Sequence, residues 1–209
     1  MSSQNSLKIN GRQLVEITTN RRIKNGASLY SPTSFLSTPA SATLLPISPN
    51  IPSPAHSAPM PLEEQLNYYF FDKSILRRSL TTKAHALEQQ QQGQPCDDQQ
   101  AYCVLGDAIL KTVLTELLIR MGYQTRGDIT ETKKALESEA TLAKIATDIG
   151  VSYVIKLDID EKQQKAYENT SVLAETLEAL IGAIYFDGGF QAARQTVRHL
   201  FRAAFPEEL

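Results

Sequence analysis

Three carboxylates stand where chemistry is possible. Asp107 interrupts the otherwise almost wholly apolar run AYCVLGDAILKTVLTELLIRMGY, residues 101–123. At about 100° per residue it shares one stripe with Cys103, Leu110, Leu114 and Leu118, and that stripe is expected to face a core. A carboxylate buried without partners is costly, so it takes up a proton, a cation, a metal ion or hydrogen-bond donors. Two readings stay open: an Asp satisfied by donors or placed at the helix's wetter end, and a functional acid. Glu175 and Glu178 lie three apart in SVLAETLEALIGAIYFDGG, residues 171–189, and so share a helical face. Glu175 alone reads as a solvated acidic edge. Glu178 borders the apolar stripe Leu173, Leu177, Leu180, Ile181 and Ile184, beside Ala174 and Gly182, whose small size lets a second helix approach. If the two helices cross, Asp107 and Glu178 can share a divalent cation. Such a site binds a phosphodiester oxygen and lowers the pKa of bound water for in-line attack.

Few other chemistries are open to the chain. Its 209 residues contain two cysteines, Cys96 and Cys103, and three histidines, His56, His85 and His199. That is neither a disulfide framework nor a zinc pattern, and it fits a reducing compartment. No phosphate-cradling glycine loop or nucleophile elbow is found, and no apolar run is long enough to span a membrane. Charge is unevenly divided. Residues 1–61 hold Lys8, Arg12, Arg21, Arg22 and Lys24 against the single acid Glu16, whereas 62–209 hold 16 Lys and Arg against 22 Asp and Glu. An acidic domain binds phosphate poorly by itself; a hard cation held by carboxylates, or the basic arm, would offset this.

The elements that must position these acids are helical. Residues 1–61 form a basic extension rich in Ser and Pro, read as disordered; its first thirty residues loosely resemble an organelle transit peptide. The folded domain is expected over 62–209, starting at PLEEQLNYYF with Pro at a helix start and acids in its first turn. The Gln-rich loop QQQQGQPCDDQQ breaks the next segment. The Asp107 helix stops near Gly122. Asp128 with Glu131 fits a capping box, Ser138 caps the following helix, and Gly150 suits its C-terminal end. VSYVIKLDID reads as a strand or an extended connector, and EKQQKAYENTS as a polar loop. Ser171 opens the Glu178 helix, DGG ends it, and a final helix follows. The sum is an all-α domain.

These stretches resemble the ribonuclease III family. The family's signature helix has the form E-x-x-E-x-L-G-D, and QAYCVLGDAIL matches its Leu105-Gly106-Asp107 end. GDITETKKALESEATLAKIATDIG is similar to the helix pair that follows. SVLAETLEALIGAIYFDGGFQAAR closely resembles the second acidic helix, D-x-x-E-A-L-I-G-A-[IV]-Y-L-D-G-G. The resemblance runs from about Leu62 to Phe205. It implies an all-α ribonuclease III endonuclease fold and cleavage of double-stranded or structured RNA with Mg²⁺, or Mn²⁺ in its place. It makes Asp107 and Glu178 the catalytic pair, with Glu175, in place of the usual Asp, joining both as metal ligands. It further implies a homodimer, with Val104 where many members carry a Phe that packs across the interface, and a cytoplasmic location, or an organellar matrix if the extension is a transit peptide. Gln100 and Cys103 replace the two signature Glu residues, and Ala140 falls where many members carry a Glu. Those departures support an alternative: a catalytically silent member that binds RNA or a ribosome as a structural part.

Overall fold

The computed structural model describes residues 61–205, together with the backbone of a short antiparallel ladder, β1 (Lys8–Ile9) with β2 (Arg12–Gln13). The disordered extension expected over 1–61 otherwise lies outside the described residues. Residues 61–205 are helical throughout: α1 (Leu62–Leu66), α2 (Lys73–Ser79), α3 (Lys83–Gln91), α4 (Gln100–Arg120), α5 (Arg126–Leu136), α6 (Glu139–Asp148), α7 (Ile159–Gln163) and α8 (Thr170–Leu200). Short 3₁₀ turns lie at Val151–Tyr153 and Ala166–Glu168. Among the described residues, no helix is long and apolar enough to cross a membrane.

Local chemistry sets most boundaries. Asp72 caps α2 by accepting from the Ser74 N–H at 2.7 Å. Thr82 starts α3, accepting from the His85 N–H at 3.3 Å, and α3 runs on into the glutamines to Gln91. Ser138 caps α6 as expected. Gly150, at φ 82°, takes the left-handed conformation that follows its end, which glycine adopts without steric cost.

Three expectations are corrected, and one open reading is settled. The α5 cap is Thr125, whose Oγ1 accepts from the Asp128 N–H at 3.2 Å; Asp128 is inside the first turn, so the true cap lies three residues earlier. A genuine capping box occurs where a loop was expected. Asp158 accepts from the Glu161 N–H at 2.7 Å, Glu161 accepts from the Asp158 N–H at 3.0 Å, and together they open α7. VSYVIKLDID forms no strand. Its Lys156 makes a single parallel bridge to Thr81, with no neighbouring strand among the described residues to extend a ladder. Asn169, not Ser171, caps α8, accepting from the Ser171 and Val172 N–H groups.

Within α8, Gly189 has φ 78° and ψ −178°. The helix is broken there, at the DGG expected to end it, and a terminal helical arm follows. Asp187, next to the break, accepts from the Tyr68 hydroxyl at 2.7 Å, the Phe71 N–H at 2.8 Å and the Asp72 N–H at 3.0 Å. That one carboxylate ties the α1–α2 connection to α8.

The core is chiefly α4 against α8, with α6 packed on α8. Leu110, Val113, Leu114 and Leu118 of α4 and Leu177, Leu180, Ile181 and Ile184 of α8 are all fully buried. Truncating such a residue to Ala costs about 2–5 kcal/mol. An exposed i,i+4 pair such as Lys144–Asp148 contributes only about 0.3–0.5 kcal/mol, so the crossing and not the surface charge carries the fold. The two backbones meet at two glycines. A Cβ on Gly106 would overlap the Glu178 carbonyl oxygen, and one on Gly182 would overlap that of Tyr102. Beyond the break, Arg194 donates to Glu116 through Nε at 2.7 Å and Nη2 at 2.6 Å, and Arg120 Nε adds a third bond at 2.8 Å. These bonds clamp the arm to α4.

Two outcomes follow from this packing. Gly106→Ala or Gly182→Ala should destabilise by about 3 kcal/mol, the upper end of the overpacking range, because backbone carbonyls cannot step aside; a urea midpoint measurement checks it. Arg194 holds the Glu116 carboxyl at about 2, below its ordinary 4.5. Its contribution is therefore complete above pH 4.5 and lost as pH falls towards 2. Glu116→Gln should lower stability at neutral pH and flatten the loss of stability in that acid window, as followed by thermal melts across a pH series.

Candidate active site

The glycine contact fixes where side chains on either side of the crossing can go. Gly106 lies against the Glu178 backbone, so Cys103, one turn before Asp107, faces the Glu178 side chain. Cys103 Sγ donates to Glu178 Oε2 at 3.2 Å. Asp107 is on the same face, with its side chain 37% exposed, and Lys111 Nζ, one turn further on, pairs with Asp107 Oδ2 at 2.7 Å. The stripe expected to be buried is buried from Leu110 onward. Asp107 and Cys103, both partly exposed, occupy its wetter end.

The electrostatics show which groups sense one another. Burial pushes the Glu178 carboxyl above its ordinary value and the negative Asp107 adds to the shift, while the Cys103 thiol and Lys111 oppose it. The Cys103 thiol rises to about 12, first through burial, then through its bond to Glu178 and the charges of Glu178, Glu175 and Asp107. At neutral pH it is a thiol that donates and not a thiolate that attacks or ligates. Lys111 is held in its charged form chiefly by its bond to Asp107, with smaller contributions from Glu137 and Glu178. Glu175 is exposed.

Asp107 and Glu178 therefore share one electrostatic neighbourhood, with Glu175 at its rim. Among the described residues, no group of three or more His, Cys, Asp or Glu is gathered at ligating distance. The donors still suit Mg²⁺. It takes carboxylate oxygens, is commonly held by only one or two carboxylates, and keeps several waters. A cation would also offset the burial and repulsion that raise Glu178. Cys103 is no part of such a donor set, since a neutral thiol is a poor ligand for a hard ion.

The sequence reading missed two charged residues. Lys111 was legible as an i,i+4 partner of Asp107. Glu137, at the end of α5, has a buried Oε2 that reaches only Lys133 Nζ, at 3.4 Å; its influence on Lys111 depends on how α5 packs, which no local pattern shows.

A family profile described as Ribonuclease-III-like matches residues 72–204. The chain belongs to the ribonuclease III family. Ribonuclease 3 of Oleidesulfovibrio alaskensis is 33% identical over 147 residues, which span 70% of this chain and 63% of that enzyme. Ribonuclease 3 of Desulfotalea psychrophila is 34% identical over 140 residues, spanning 66% of this chain and 57% of the relative. The chain thus covers less than two thirds of these curated relatives. The nuclease domain of ribonuclease III from Campylobacter jejuni superposes with a TM-score of 0.62 at 32% identity, over 69% of this chain and 96% of that one. The all-α family fold expected from the sequence is the fold observed.

Lys111 generates a test. Its ammonium sits on the carboxylate that a metal would use, and a unit charge about 4 Å away is worth about 1 kcal/mol in water. Lys111→Ala should therefore bind Mg²⁺ about fivefold more tightly than wild type in isothermal calorimetry, since 1.36 kcal/mol is tenfold. Its metal-free thermal stability should drop only slightly, as for any exposed i,i+4 pair.

Proposed function

We propose that the chain is a Mg²⁺-dependent endoribonuclease that hydrolyses phosphodiester bonds in double-stranded RNA, acting as a homodimer. The observation that carries this is that the Asp107 charge acts on Glu178 beside the Gly106–Gly182 contact, within a fold of the ribonuclease III family. Asp107 and Glu178 would hold Mg²⁺, with Glu175 at the rim contributing through a water, and Mn²⁺ can take the same oxygen donors. The ion, when bound, polarises a phosphoryl oxygen and lowers the pKa of its water.

The chain's own groups do the rest. Cys103 Sγ–H on Glu178 Oε2 fixes the rotamer of that carboxylate. Partial burial raises the proton affinity of Glu178, and a cation held there would favour its charged, ligating form. Lys111 Nζ supplies positive charge beside Asp107, where a phosphate bearing negative charge would approach. Double-stranded RNA is read mostly by shape and 2′-hydroxyls, so little base preference is expected. Val104, 75% exposed on α4, and Phe186, 63% exposed on α8, offer apolar surface for a second copy. The absence of any disulfide partner for the two free cysteines fits a reducing compartment, the cytoplasm or an organelle matrix.

A second reading is favoured by one observation. Cys103 stands where the family signature has a Glu, and it donates where a ligand would accept. On that reading the domain binds RNA, or a ribosome, without cutting. Asp107→Asn and Glu178→Gln decide between the two when assayed on long double-stranded RNA with Mg²⁺ and with EDTA. The enzyme reading expects cleavage by wild type in Mg²⁺ alone and a loss of about a hundredfold or more in either variant, with unchanged melting. A folded wild type that binds the RNA and leaves it intact would establish the silent reading.

A further inference from the structure

The domain carries more acid than base, yet its cations are not evenly spread. Arg77, Arg78 and Lys156 converge on one cleft of about 370 Å³, between α2, the segment before α4 and the turn that follows the 3₁₀ helix at Val151–Tyr153. Asp97 is the only acid in its lining. Neither Asp107 nor Glu178 reaches it, so it is separate from the carboxylate pair.

The cleft is built and not a chance meeting of mobile side chains. Arg78 Cζ lies 4.9 Å from the Tyr102 ring centroid, and its Nε donates to the Asp98 carbonyl at 2.9 Å. Both contacts hold the guanidinium plane through its face and its Nε, not through its terminal nitrogens. Its one carboxylate neighbour, Asp97, is 3.7 Å away and 77% exposed, too loose to neutralise it. Lys156 is pinned at the backbone: its N–H donates to the Leu80 carbonyl at 2.7 Å, and its carbonyl accepts from the Thr82 N–H at 3.1 Å. Among the described residues its ammonium has no ion-pair partner. Tyr102, in turn, is locked by the glycine contact, its carbonyl lying against Gly182. A planar guanidinium fixed on an aromatic face, flanked by two further cations, suits the charge and the paired acceptor oxygens of a phosphate group.

We propose that this cleft is a phosphate-binding subsite that takes a backbone phosphate of RNA. The inference rests on the RNA reading above and deepens it: the acidic domain would gain here the cationic grip on the duplex that the carboxylate face lacks.

Arg77 and Lys156 are both exposed, so reversing their charge leaves the packing alone. Binding of a fluorescent double-stranded RNA by the full chain, in EDTA, is followed by anisotropy across a salt series. Arg77→Glu and Lys156→Glu should each weaken binding about tenfold and reduce the slope of log K against log salt by about one. Lys165→Glu, an equal charge change outside the cleft, should do neither. Cys96, in the cleft wall, gives a second readout: RNA or inorganic phosphate should slow its alkylation in wild type and not in Lys156→Glu. If Arg77→Glu and Lys156→Glu match Lys165→Glu, and neither ligand protects Cys96, the subsite is overturned. Protection by inorganic phosphate in a protein that binds no RNA would keep the phosphate cleft but remove the RNA from it, and with it the reading of the whole chain as an RNA enzyme.

Discussion

The structure depends on two backbones touching. Gly106 and Gly182 let α4 and α8 approach until the carbonyl of one lies where the Cβ of the other would be. Helices usually pack 8–10 Å apart, with side chains setting the separation; here the side chains have been removed from the contact. Leucines zip the helices together on one side of that point. Beside it, the partly exposed polar groups of Cys103, Asp107, Lys111 and Glu178 act on one another. A hydrophobic core and a cluster of ionisable groups thus share one pivot, and the position of the pivot decides where one gives way to the other.

The chemical character of that cluster follows from how far it is drawn out of water. Glu178 is half-buried and carries a raised proton affinity; Asp107, a turn away on the other helix, is solvated and neutralised by Lys111. Two carboxylates on facing helices thereby sit in unlike surroundings, one half-buried and one ion-paired. Cys103 tempers the difference, because a thiol that lends its hydrogen to Glu178 favours the charged carboxylate.

Most of the architecture was legible in the chain itself. Apolar spacing gave α4 and α8, Ser138 and Gly150 bounded α6, and DGG marked the break at Gly189. What was not legible depended on choosing among equivalent local signals or on distant pairing. Both Thr125 and Asp128 can cap a helix, and only the fold shows that the threonine does. Asp158 and Glu161 hid a capping box across the junction of VSYVIKLDID and the polar loop. VSYVIKLDID has the alternation of a strand but no partner, so it settled for one bridge to Thr81. At the site, the sequence named Asp107, Glu175 and Glu178. The contact between Gly106 and Gly182, the thiol on Glu178 and the cation on Asp107 needed the two helices to be placed. Lys111 alone could have been read from its spacing.

The separation of the paired helices along the chain has a cost during synthesis. Cys103 and Glu178, which face each other at the crossing, are 75 residues apart. Bringing such distant segments together requires closing a long loop before any contact rewards it, which slows folding. Until α8 emerges, the leucine face of α4 has no partner and stays open to solvent and to other nascent chains. A half-made copy of this protein is thus a sticky one, with that apolar face open until α8 arrives.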